Sequence, residues 1–98
     1  MPSTEALLRL TVSALMYATG ETQSDLARGL RLSQGQVSRK QAGSDKGSSW
    51  TLGDLDRLSA HYGIPVPDLL CGADHAVSRL PTQRRAATVG GLQTTITP

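Results

Sequence analysis

The sequence predicts an all-α domain of five short helices over residues 1–72, followed by a C-terminal extension, residues 73–98, read as a flexible tail or a short β arm. Three observations carry that expectation. Apolar residues are mainly aliphatic and recur at helical spacing, with no Phe, one Trp and two Tyr. A hydroxyl residue followed three positions on by an acid or amide, the mark of a capped helix start, occurs in phase with them at Thr22/Asp25, Ser33/Gln36 and Thr51/Asp54. Glycines stand where helices should end, at Gly20, Gly43 and Gly63. The 98 residues suit one domain rather than two.

Ser3 caps a first helix over about residues 4 to 19, with Leu7, Leu10, Ala14 and Ala18 as its apolar stripe and Leu8, Val12 and Leu15 widening it. The second helix, opened by Thr22, buries Leu26, Ala27 and Leu30. The third, about residues 33 to 42, has Val37 as its one clearly apolar anchor, and the fourth buries Leu52, Leu55 and Leu58. Between Gly43 and Trp50 the run from Ser44 to Ser49 is polar and turn-forming, a loop. A fifth helix, about residues 67 to 72, follows the bend Ile64-Pro65-Val66-Pro67 and turns Leu69 and Leu70 inward. Beyond it, Ala87-Thr88-Val89 and Leu92 to Ile96 flank Gly90-Gly91, a pair suited to a tight hairpin; unpaired, the same residues are too polar to build a core.

Charge and cysteine usage narrow the function classes. The sequence pI of about 9.1 falls in the range of nucleic-acid binders. From Thr22 to Lys46, Arg28, Arg31, Arg39, Lys40 and Lys46 face only Asp25 and Asp45. Cys71 is alone, which excludes an internal disulfide and leads us to expect no cysteine-based metal site and no cofactor. With no long apolar run and no signal-like N-terminus, the expected location is the cytoplasm, with no membrane contact. Catalysis would have to draw on His61, His75, Cys71 and scattered Ser or Asp, in no recognised spacing, so the chain is not expected to be an enzyme.

The second and third helix starts lie close together, leaving a turn of about Gly29 to Leu32, and helices joined so tightly cross steeply. The third then presents Gln34, Gly35, Gln36, Ser38, Arg39 and Lys40 outward. A helix this polar, set among apolar ones, calls for a polar partner. Gln34 can donate to N7 and accept from N6 of one adenine, Gln36 can do likewise where its own cap leaves it free, and Arg39 can fork onto guanine or hold a phosphate. Lys40, Ser44, Lys46 and Ser48 are candidate contacts to the DNA backbone, and Thr22, Ser33 and Ser38 complete that set.

Thr22-Gln23-Ser24-Asp25-Leu26-Ala27, Leu30, Ser33, Val37-Ser38-Arg39 and Gly43 resemble the helix-turn-helix of the Cro/phage-repressor (XRE) family, and Leu55 to Gly72 is similar to that family's last two helices. The resemblance implies a five-helix, lambda-repressor-like domain. It also implies a homodimer bound to double-stranded DNA at an inverted-repeat operator, acting as a transcriptional regulator and most simply a repressor. Gln23 matches the family's phosphate-contacting glutamine. Met16 and Gln41 stand where many members pair an Arg with a Glu, Arg31 where the turn often has Gly, and Lys40 where an apolar residue is usual. The other reading is an antitoxin-type protein: residues 73–98 would hold a partner protein while the helix-turn-helix represses its own operon.

Overall fold

The computed structural model describes residues 3–43 and 48–85. They form six helices: α1 (Thr4–Thr19), α2 (Gln23–Leu30), α3 (Gln34–Ala42), α4 (Leu52–Tyr62), α5 (Val66–Leu69) and α6 (Ala73–Ser78), followed by one 3-10 turn, Thr82–Arg84. Among the described residues there is no strand, and no helix is long and apolar enough to cross a membrane. The described residues are all-α, as expected. The hairpin expected around Gly90-Gly91 lies outside the described residues, as does the loop segment 44–47.

Local chemistry sets the helix starts. At Thr22, Ser33 and Thr51 the hydroxyl accepts from the backbone N–H three residues on, while the Asp25, Gln36 or Asp54 side chain accepts from the cap's own N–H. Each box satisfies two backbone donors that would otherwise lack partners. Ser3 caps α1 more simply, accepting from Ala6 N–H at 3.1 Å.

The ends of α1 and α2 share one geometry. After α1, Gly20 is left-handed (φ 77°), Gly20 N–H donates to Tyr17 C=O and Glu21 N–H to Met16 C=O. After α2, Arg31 takes the same place (φ 62°), with its N–H on Arg28 C=O and Leu32 N–H on Ala27 C=O. A side chain in this region costs roughly 1 kcal/mol that glycine does not pay. Arg31→Gly is therefore expected to stabilise the domain by about 0.5–1 kcal/mol, read as a rise in the urea midpoint at unchanged slope. A lower midpoint would mean the guanidinium contributes more to the fold than the strain removes.

The core is one cluster: Leu8, Val12 and Leu15 of α1; Leu26, Ala27 and Leu30 of α2; Val37 of α3; then Trp50, Leu55, Leu58, Tyr62, Ile64, Leu69, Ala76 and Leu80. Three assignments from the sequence are corrected by it. On α1 the inner face is Leu8, Thr11, Val12 and Leu15, whereas Leu7 and Leu10 are 43% and 61% exposed. Ten of its sixteen residues are apolar and cover most of that helix's circumference, so periodicity alone does not choose between faces. Thr11 is tolerated inside because its hydroxyl donates to Leu7 C=O at 3.0 Å. Leu52, at the first helical position of α4, is 83% exposed, since side chains tilt toward a helix N-terminus and this one leans off the end of the body. Leu70 is exposed beside fully buried Leu69.

A sixth helix extends the body past residue 72. α6 packs along α1, burying Ala76, with Val77 packed against the core and Leu80 buried just beyond the helix. Residues 73–85 are therefore integrated with the helices before them.

Candidate nucleic-acid interface

α2 and α3 pack on each other across the turn Arg31 to Ser33. Within α3 only Val37 is buried; Gln34, Gly35, Gln36, Ser38 and Arg39 are all exposed. At about 100° per residue from buried Val37, Gly35 and Arg39 lie at the centre of the outward face, with Ser38 and Gln36 on its two flanks and Gln34 at its edge, nearer the Val37 side.

Arg39 is the free cation of this face. Among the described residues nothing forms a hydrogen bond or ion pair with its guanidinium. The side chain lies back over Gly35, where an added Cβ would come within 3.3 Å of Arg39 Nη1. The gap left by Gly35 thus takes the guanidinium, between the two glutamines.

Both glutamines are oriented by bonds to their oxygens. Gln34 Oε1 accepts from the Ser24 hydroxyl of α2 at 2.9 Å, so its amide N–H groups point away and its second lone pair is free. Ser24 is a candidate positioning residue that sequence reasoning missed. Its signal was faint: one small hydroxyl in the first turn of the preceding helix, ten residues away. Gln36 Oε1 accepts from Ser33 N–H at 2.8 Å, which completes the cap and likewise leaves one lone pair and both N–H donors. The Gln36 amide is the less adjustable of the two, because turning it toward a base breaks the α3 cap, whereas Gln34 is held by an exposed hydroxyl.

The backbone candidates divide. Gln23 is the first residue of α2, at a helix N-terminus whose free N–H groups favour an anion. The Thr22 and Ser33 hydroxyl oxygens are used by their own caps, each remaining exposed, and Ser38 is exposed with no partner among the described residues. Ser48 is half-buried. Ser44 and Lys46 lie outside the described residues.

Lys40 points the other way, and its assignment to the DNA backbone is corrected. Its ammonium donates to Asp54 Oδ2 at 2.8 Å and to Ser49 C=O at 3.1 Å, and sits 5.9 Å from the centre of the Trp50 ring. Burial raises the Asp54 carboxyl, but Lys40 and the N–H and hydroxyl of Thr51 outweigh it and hold it below its usual range. Beside this pair Gln41 joins three segments: Nε2 donates to Arg9 C=O (3.2 Å) and Ser13 Oγ (3.0 Å) of α1, and Oε1 accepts from Trp50 Nε1–H (2.8 Å). So the inner side of α3 is fixed to α1, to the segment before α4 and to α4 itself. Its outer side is polar and exposed.

What the arrangement offers is a helix held from its inner side and carrying a guanidinium that is unpaired among the described residues, two pre-oriented amides and a short hydroxyl, with the start of α2 beside it. No family model matches the chain, and neither does any curated protein or solved structure.

Proposed function

We propose that the chain is a sequence-specific DNA-binding regulator built on a helix-turn-helix. In this reading α2 and α3 are the two helices of the motif, within the lambda-repressor-like arrangement of α1 to α5. α3 enters the major groove, Arg39 and Gln34 read base edges, Gln36 donates one further bond, and Gln23 with the α2 N-terminus holds a phosphate. The observation that carries it is the asymmetry of α3: one buried side chain inside, and outside a polar face whose members are aimed by Ser24, Ser33 and Gly35 rather than paired among themselves. The regulator acts most simply as a repressor, as a homodimer on an inverted repeat. Leu7, Leu10 and Tyr17, exposed on α1, supply apolar surface for pairing of copies. The antitoxin-type alternative needed residues 73–98 for a partner protein. The first thirteen of these belong to the helical body, which leaves that reading residues 86–98.

Selection of bound duplexes from a random pool tests the reading. The expected result is enrichment of an inverted repeat whose half-site centres lie about 34 Å, one helical turn, apart. Failure to enrich any sequence would sink it, and isolated half-sites would remove the homodimer. Arg39→Ala is expected to cost about 1–3 kcal/mol on the selected site and to relax preference at one base pair. An even loss on all DNA would move Arg39 to a phosphate.

A further inference from the structure

We propose that Asp68, Cys71 and His75 form a binding site for a thiophilic divalent cation of the zinc class, at the corner between α5 and α6. Along the sequence the three residues made no recognised metal motif, and a lone cysteine argued against one. The fold alters that by turning sharply after α5, so that a carboxylate oxygen, the thiol sulfur and an imidazole nitrogen all lie within 4.8 Å of one another.

The donor set suits the ion. Oxygen, sulfur and nitrogen together are the mixed ligands that zinc accepts in tetrahedral geometry, with a fourth position left to water where the protein supplies three. Asp68 is half-buried while Cys71 and His75 are exposed, so an ion and its water can enter without unpacking the core. His75 Nε2 is already drawn to Asp68 Oδ1 at 2.7 Å, which turns that nitrogen into the cluster. Donors on one tetrahedral zinc stand roughly 3.3 Å apart, so the pair needs to part by only a fraction of an ångström to admit the ion. Asp68 keeps its second oxygen, Oδ2, facing Arg79 Nε at 3.6 Å, and that contact can steady the carboxylate while Oδ1 binds. The thiol makes one weak bond, to Pro67 C=O at 3.2 Å. On binding, the thiol proton passes to solvent and the sulfur lone pair forms the metal bond. The carboxylate binds through a lone pair it already holds; the Nε2 proton that His75 donates to Asp68 Oδ1 in the free site leaves Nε2, with Nδ1 carrying the one ring proton, so that the neutral imidazole offers its Nε2 lone pair, and no electron is transferred. The bound ion ties α5 to α6 and so fastens the last helix to the body.

The site is independent of the DNA-binding reading and is tested without DNA. Cobalt(II) added to the full chain is expected to give a thiolate-to-cobalt charge-transfer band saturating at one ion per chain, with zinc then bleaching it and raising the melting temperature. Cys71→Ser should abolish the band, and His75→Gln should abolish saturable binding while the helical circular dichroism is kept, since both side chains are exposed. Absence of a band, a band that survives His75→Gln, or saturation at one ion per two chains would overturn the proposal, the last by placing the metal between copies.

Discussion

Lys40→Met is expected to destabilise the domain by about 3 kcal/mol, because it removes one partner of a nearly buried ion pair and strands the other. The Lys40 and Asp54 side chains are only 11% and 7% exposed. Methionine keeps the length of the lysine stem, so the loss reports the ammonium rather than a cavity. For a domain of this size the shift in melting temperature is roughly 12–24 °C. The same pair gives a pH signature. With its carboxyl held below the ordinary 3.8, Asp54 contributes stability that is fully present above that value and is lost as pH falls through the folded-state value. The variant should therefore lose stability at neutral pH and show a flatter acid limb than the parent. A lysine placed on DNA phosphate would behave in the opposite way: unchanged melting, weaker binding to all sequences and a shallower salt dependence. Thermal denaturation beside a salt titration of DNA binding separates the two.

Lys40 also shows where sequence reading stops. The three capping boxes were legible because both partners sit three residues apart, and the chemistry of a helix start is local. The outward set on α3 was legible for a related reason, since one large apolar residue in nine fixes which side faces in. What decides the direction of Lys40 is Asp54, fourteen residues away on another helix, and nothing nearby in the chain announces that meeting. Gln41 is the same case at longer range, bonded to residues 28 and 32 positions earlier. As a sequence feature it marked only the absence of a charged pair with Met16; in the structure its amide makes the interhelical link by hydrogen bonds alone. α6 was missed because six residues carrying only small or branched apolar side chains are too few for periodicity to show. Its support comes from α1, some sixty residues earlier.

Glu21→Ala is expected to cost about 2 kcal/mol and to act on the start of α2 from behind, since Glu21 directly precedes the Thr22 cap. Its carboxylate holds His61 Nε2 of α4 at 2.5 Å and lies 3.6 Å from Arg84 Nη2, while its other oxygen accepts from the Thr19 hydroxyl at 3.0 Å. The His61 ring also closes against α2, where a Cβ on Gly29 would fall 2.4 Å from its Cε1. One half-buried node thus joins the α1–α2 turn, α4 and the turn after α6, the last through a residue of the extension that the sequence left as a tail or arm. Burial raises the Glu21 carboxyl, but His61 and Thr19 are among the groups that bring it below its usual value of 4.5. Its contribution to stability is accordingly present above about pH 4.5 and fades on acidification. Arg84 is more exposed, so Arg84→Ala should cost less than Glu21→Ala, and a double-mutant cycle between Glu21 and His61 should return a coupling of about 1 kcal/mol or more. Equal melting temperatures for Glu21→Ala and the parent would show that the node carries no net stability. A coupling near zero would mean that Glu21 acts through Thr19 and the turn alone.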